Sequence, residues 1–347
     1  MRVDLEQLIC TTLIGTPGQD QVATPVRIGR DTVHVQRADK VLYIPALRLQ
    51  VVDERIVPLE ATTYSWYLDL EKRLNSTTDR AAPYREEFPV QEIDEDVCIL
   101  SNFYSRVFAH SIDELMKVII LERHGFSGKY VFSRAPAHAL ELLRLGGIAE
   151  DRIVTKIASP TVFRSAFYTT AMSREDILEY PDVFLAVRNT LLAAANKESS
   201  YGTRLWMTRG VGARTARRNL LVNEAEVYEC LRRHRFEIVD PGSMSVADQI
   251  GTMRNAEVIS GPHGSTFIHS MFMNEGANVV ECFSPNYINP SVIEVCRLLK
   301  HQYYMLVDLN THNWPYPHGE NVRVNCSHLS LVLEGVDRRL QGIVRHP

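Results

Sequence analysis

The sequence has no CxxC pair, no GxGxxG turn, no GxxxxGK[ST] loop, no GxSxG elbow and no HExxH helix. Their absence sets aside the simplest routes to a zinc site, a dinucleotide fingerprint, a P-loop nucleotidase, an α/β-hydrolase and a zincin. The six cysteines (Cys10, Cys98, Cys230, Cys282, Cys296, Cys326) are scattered, several in apolar surroundings. That pattern suits a reducing compartment better than a disulfide framework. No window approaches the roughly 18 to 20 apolar residues of a membrane span. The first fifteen residues carry no long apolar run behind their charges, so a signal peptide is not expected. The sequons at Asn75 and Asn325 are then read as chance, and the expected location is cytoplasmic. Charge of one sign is lacking too: 38 basic against 42 acidic residues give a net charge of −4. No global pull toward nucleic acid follows, and any anion site must be local.

What is present is length and rhythm. A chain of 347 residues with 45% hydrophobic and 23% charged residues can build two full cores. Residues 1 to about 60 alternate as short strands (Val33, Val35; residues 41–44; residues 48–52), predicting a small β-rich entry segment at an edge of the first domain. Residues 64–92 are polar and mixed. From Val97 a β/α rhythm begins: strand 97–100, amphipathic helix 111–123, strand 129–132, helix 135–145, strands 152–157 and 161–168, and a helix opened by Pro181. The polar run 196–202 is the best boundary, giving domains 1–195 and 196–347. The rhythm then restarts with strand 204–208, helix 223–234, strand 236–239 and helix 246–255. Helix 290–300, strand 302–307 and a closing helix 329–344 end the chain. The expected class is α/β, two doubly wound Rossmann-like sheets facing a cleft.

Residues 256–285 organise the second half. Val258-Ile259-Ser260 reads as a buried strand, Gly261-Pro262-His263-Gly264-Ser265 as a tight turn, residues 265–273 as a helix and residues 279–283 as the next strand. Glycines at Gly261 and Gly264 let backbone approach a ligand, and a helix N-terminus beside His263 suits a diphosphate. Arg209, Arg214, Arg217 and Arg218 follow strand 204–208 among two glycines. Guanidinium groups there are placed for diphosphate oxygens, with a solvated basic loop as the plainer alternative.

Other polar residues fall at the same carboxyl edge. Asp240 lies just past strand 236–239, and Ser243 or Ser245 caps the helix that carries Gln249, either a core residue or a hydrogen-bonder between domains. Glu281 ends its strand where a carboxylate can hold ribose or sugar hydroxyls. In the first half, His110 and Glu114 share a helix face with Asp113 beside them. They read either as charges suited to a helix terminus or as a general base with its partner. Asp94-Glu95-Asp96 could hold a divalent cation, but solvated charge at a strand entry is the commoner reading.

The ordered block from Leu205 to Pro285 (WMTR, NLLVNE, FEIVDP, SVADQI, AEVISGPHGS, NVVECFSP) resembles glycosyltransferase family 61. In the first half, Asn102 and HSIDEL resemble that family's Asn…His signature, with Ser111 where tryptophan is usual. STFIH at residues 265–269 stands where Ala-Gly-Leu-Thr-Asn is usual.

The resemblance implies a GT-B fold and inverting transfer from a nucleotide sugar, a UDP-sugar above others, to a glycan or lipid-linked glycan. No cofactor or obligatory metal is implied, and no nucleic acid partner. The setting is bacterial surface or exopolysaccharide biosynthesis, with peripheral association to membrane-bound machinery. It assigns Arg209, Arg214, Arg218 and the Gly261–Ser265 turn to the donor, with Asp240, Gln249 and Glu281 beside them. Glu114 becomes the base, with His110 and Asp113 as its partners. Two rivals remain: a non-catalytic nucleotide- or glycan-binding relative, which the departures at Ser111 and residues 265–269 favour, and a hydrolase using Ser265 with His263 or His269.

Overall fold

The computed structural model describes residues 24–45, 49–52, 55–57, 90–100, 108–132, 135–169, 177–195, 197–208, 221–289, 292–308 and 321–342. The polar stretch 64–89, Cys10, Asn102 and the arginines at 209–218 lie outside them. The chain divides into two compact units, Met1–Val187 and Arg188–Pro347.

In the first unit, β1 (Thr24–Ile28) and β2 (Asp31–Ile44) form a hairpin whose alternating burial follows the two-residue period of a half-covered strand. Gly29 turns the hairpin at φ +61°, a left-handed conformation that glycine adopts without a Cβ penalty. The sheet continues through β3 (Leu49–Val52), β4 (Arg55–Val57), β5 (Gln91–Ile99), β6 (Lys129–Val131), β7 (Ile153–Val154) and β8 (Thr161–Thr169). Its order is β4-β3-β2-β8-β5-β6-β7. Strands β8, β5, β6 and β7 run parallel, in the 3-2-1-4 order of a Rossmann half. Strand β2 joins β8 antiparallel from Val35 to Tyr43.

The entry segment forms one end of the sheet, as expected, with β4 outermost and β2 joining it to β8. Its longest strand, β2, lies between β3 and β8 in a mixed sheet; its burial alternates from Asp31 to Val35, and both faces are covered only from Val41 to Ile44. The expected strand 152–157 is shorter. Glu150–Arg152 forms a 3-10 turn, and the Arg152 guanidinium is drawn off to Glu122 and the carbonyls of Phe126 and Gly128. The acidic triplet sits within β5 rather than before it. Asp94 and Asp96 both meet Arg164, which holds the Asp96 carboxyl below its usual range.

Helix α1 (Phe108–His124) is buried on almost every face, as the central helix of a core must be. Arg123 and His124 sit in its last turn, where cations meet the carbonyl end of the helix. Helix α2 (Ala137–Leu145) packs beside it. Helix α3 (Pro181–Ala194) carries the chain across the unit boundary.

The second unit is a five-stranded sheet of β9 (Arg204–Met207), β10 (Glu237–Val239), β11 (Val258–Pro262), β12 (Asn278–Phe283) and β13 (Gln302–Val307). Every pairing is parallel and the order is β10-β9-β11-β12-β13. Helices α4 (Glu224–Arg233), α5 (Val246–Arg254), α6 (Ile293–Leu298) and α7 (Cys326–Leu340) connect and cover it. One core joins Val227 and Leu231 of α4 and Leu329, Leu333 and Val336 of α7 to Trp206, Val258, Val280 and Cys282 of the sheet. Strand alternation therefore turns Val279, Glu281 and Phe283 to the opposite face.

The segment expected as a helix after His263 is a 3-10 helix, Ser265–Phe272. The Thr266 carbonyl accepts from His269 Nδ1 at 2.7 Å, so a side chain competes for a backbone acceptor of the helical ladder. Asn325 caps α7, accepting from the N–H groups of Ser327 and His328.

Cys98, Cys230, Cys282, Cys296 and Cys326 are free thiols. Among the described residues no helix is long and apolar enough to cross a membrane.

The core of the second unit is tested on one helix. Leu333→Ala should lower stability by about 2–5 kcal/mol, since its side chain is fully buried among sheet residues. Leu331→Ala, at a position 62% exposed, should stay within about 0.5 kcal/mol. Denaturant titration compares them, and equal losses would refute this packing.

Candidate active site

In a parallel sheet of this order the chain reverses its direction of winding between β9 and β11, and ligands meet such sheets at the carboxyl ends of those two strands. Gly261 brings the strands together there. A Cβ at Gly261 would stand 2.4 Å from the Met207 carbonyl oxygen, so only glycine fits. The residue after β11 is His263.

His263 is fixed from several sides. Its N–H donates to the Cys282 carbonyl at 2.7 Å, and its Nδ1 lies 2.6 Å from Glu281 Oε1. The ring stacks on Phe283 with centroids 4.7 Å apart and meets Tyr287 edge-on. Its side chain keeps 12% exposure, whereas Glu281 has 1%. The second Glu281 oxygen accepts the Tyr303 hydroxyl at 2.8 Å. Burial, then the Glu281 charge, pushes the Tyr303 phenol far above its ordinary pKa, so it remains a donor. The same two causes push the Cys296 thiol up to about 12. Register explains the cluster: Gly261 pairs with Glu281 and Val279 with Tyr303, so the tyrosine is the diagonal neighbour of the carboxylate.

The expectation that Glu281 meets ribose hydroxyls does not survive this geometry. Both oxygens are engaged and solvent does not reach them; the group acts on His263. Gln249 is likewise internal: its amide donates to the Met244 carbonyl at 3.1 Å, and its oxygen lies 2.5 Å from His269 Nε2. It braces the 3-10 helix against α5. Asp240 accepts from the Gly242 N–H at 3.0 Å and caps the turn Pro241–Ser243. Gly264 is buried and Ser265 half-buried in the turn after His263. Among the described residues no hydrogen bond joins Ser265 to His263 or His269, which removes support for a serine nucleophile. Arg209, Arg214 and Arg218 lie outside the described residues.

The first-unit candidates share α1. Glu114 is 1% exposed and its Oε1 lies 3.3 Å from Lys117 Nζ. Asp113, also buried, lies 3.6 Å from His110 Nδ1, and His110 keeps 31% side-chain exposure. Glu114 as the base is corrected on this ground: a sealed, ion-paired carboxylate cannot receive a proton from an acceptor hydroxyl, while the His110 ring is accessible.

Lys117, Phe283, Tyr287 and Tyr303 were not anticipated from sequence. The signal for Tyr303 was its place in an aromatic strand, but register alone shows which carboxylate it meets.

The 3-10 helix is anchored at its far end as well. His301 Nε2 donates to the Ser270 carbonyl at 3.0 Å, and Arg188 donates to the carbonyls of Met271 and Met273. Burial lowers the His301 pKa.

A model of the family described as Glycosyltransferase 61 matches residues 82–280, more than half of the chain. The match includes α1 and the turn at His263 and stops one residue before Glu281. No curated protein matches the chain significantly.

The His301 anchor makes a pH prediction. Its folded pKa is depressed, so the unfolded chain binds the proton first as pH falls below the ordinary value of 6.5. Stability supplied by neutral His301 is present above that value and lost below it. Unfolding midpoints of the second unit should drop between about pH 7 and pH 5, and His301→Gln should flatten the drop. An unchanged slope in that variant would refute the assignment.

Proposed function

Taking as premise that the chain belongs to glycosyltransferase family 61, we propose that it is an inverting, GT-B type enzyme. It moves a sugar from a nucleotide-sugar donor, a UDP-sugar, to a hydroxyl of a glycan or lipid-linked glycan. The setting proposed is bacterial surface or exopolysaccharide biosynthesis in the cytoplasm, beside membrane-bound assembly machinery. Among the described residues five cysteines are free thiols, which fits a reducing compartment.

One observation carries the reading: an oriented, partly exposed imidazole, His263, stands at the carboxyl end of β11 beside the winding reversal of a parallel sheet. With Nδ1 held by the buried carboxylate, Nε2 is the ring nitrogen left for a ligand, and an Nε2–H there would donate to a diphosphate oxygen. Arg209, Arg214 and Arg218 follow β9 in sequence and are proposed as the further positive charge. Developing charge on the leaving nucleoside diphosphate would then be met by fixed donors.

Inversion requires one displacement by an acceptor oxygen whose proton goes to a base. We assign that base to His110, oriented by Asp113, with Glu114 and Lys117 as the buried pair beneath them.

A panel of sugar nucleotides, scored for nucleoside diphosphate release with and without glycan acceptor, tests the reading. Release that depends on acceptor is the expected result. Binding without release under every condition would favour the non-catalytic relative. Within an active preparation, His110→Ala should cut turnover by about 100- to 10,000-fold with donor affinity unchanged. Glu114→Gln should act on thermal stability instead. Normal turnover by His110→Ala would overturn the base assignment.

A further inference from the structure

The pair His263–Glu281 continues inward to a third residue. Tyr303 lies on β13, two strands from His263, and its hydroxyl contacts the Glu281 oxygen that His263 does not use. We infer that Tyr303 is a positioning residue: its hydroxyl fixes the Glu281 carboxylate so that it accepts the Nδ1–H hydrogen bond of His263, and Nε2, protonated as well when the donor is bound, gives its N–H to the diphosphate. The inference rests on the reading of His263 given under Proposed function and adds the device that orients it.

Three observations converge. A carboxylate has two oxygens and can rotate; with one held by a phenol and the other by Nδ1, its plane and the edge of the imidazole that faces it are set together. Ring orientation is set independently by Phe283, stacked at an interplanar angle of 20°, and by the Tyr287 edge. Among the described residues Nε2 has no hydrogen-bond partner, and it is the one remaining polar atom of a side chain that solvent reaches. A buried carboxylate with both oxygens engaged is not needed for stability in an interior strand, since apolar packing there would be as stable. Tyr303 itself touches no reacting atom.

The transfer step balances without it. The acceptor oxygen bonds the anomeric carbon, the bond from that carbon to the diphosphate oxygen breaks, and the electron pair stays on the diphosphate. The acceptor proton goes to the base. Charge gained by the diphosphate oxygen is met by the Nε2–H of His263, whose Nδ1–H remains on Glu281.

The test uses the full chain with uridine diphosphate as the probe, in a double-mutant cycle. Tyr303→Phe keeps the ring and removes the hydroxyl. Its affinity by calorimetry should fall about two- to ten-fold relative to the parent chain. In a His263→Gln background the same change should alter affinity by less than about two-fold, because the hydroxyl acts only through the imidazole. Equal losses in both backgrounds would mean a merely structural tyrosine and overturn the inference.

Nitrogen NMR of the chain labelled at its 12 histidines supplies a readout independent of affinity. With uridine diphosphate bound, the signal lost in His263→Gln should show both ring nitrogens protonated, and it should shift in Tyr303→Phe. A His263 protonated on Nε2 alone would also overturn the inference. If the parent chain binds no uridine diphosphate, the nucleotide reading fails, and the presence or absence of an Nδ1–H in the free chain decides the Glu281 contact by itself.

Discussion

The contact between a buried carboxylate and a partly exposed imidazole governs the second unit. Glu281 sits in a fully covered strand of the sheet, with every β12 residue buried. An ionised group there is tolerable only when its oxygens are paired, and removing one partner of such a pair costs about 3–5 kcal/mol. The fold supplies partners from both neighbouring strands: His263 just after β11 and Tyr303 from β13. The register of three strands is thereby tied to the orientation of one side chain at the sheet's carboxyl edge. Gly261 permits the close approach of β11 to β9 that puts this edge at the winding reversal.

Around that contact the remaining polar residues are braces. Gln249 and His269 lock the 3-10 helix to α5, His301 and Arg188 hold its other end, and Asp240 shapes the turn after β10. These groups satisfy backbone carbonyls and N–H groups that an irregular, buried segment would otherwise leave without partners. The first unit repeats the principle differently. Helix α1 carries Asp113, Glu114 and Lys117 into a covered position and leaves His110 at the accessible margin.

Much of this was legible in the sequence, unevenly. Parallel strands showed clearly, because VVECF, VIS and RLWM are short apolar runs bounded by turn residues, and the glycine turn at Gly261–Ser265 placed the edge of the sheet. Helix ends near Gly125 and Asn255 followed from turn chemistry, whereas Asn223 stands at the start of α4 without capping it, its amide bonded to Glu226 and the Val324 backbone. Three things did not show. The long strand β2 was missed as a sheet-interior strand, since its antiparallel pairing to β8 spans more than a hundred residues and alternation cannot reveal its partner. The 3-10 geometry after His263 arises from a side chain capturing a carbonyl, which apolar spacing does not encode. The roles of Glu281 and Glu114 depended on burial and on which oxygens were already engaged, and a carboxylate at a strand end reads alike in either case. His263 was found for its place, and its partners only through register.

Co-crystallisation with uridine diphosphate tests the central claim most directly. The account predicts diphosphate oxygens within about 2.7–3.2 Å of His263 Nε2, beyond the carboxyl end of β11, with the Glu281–Tyr303 contact intact. A nucleotide bound elsewhere on the chain, with His263 unaltered and untouched, would contradict it.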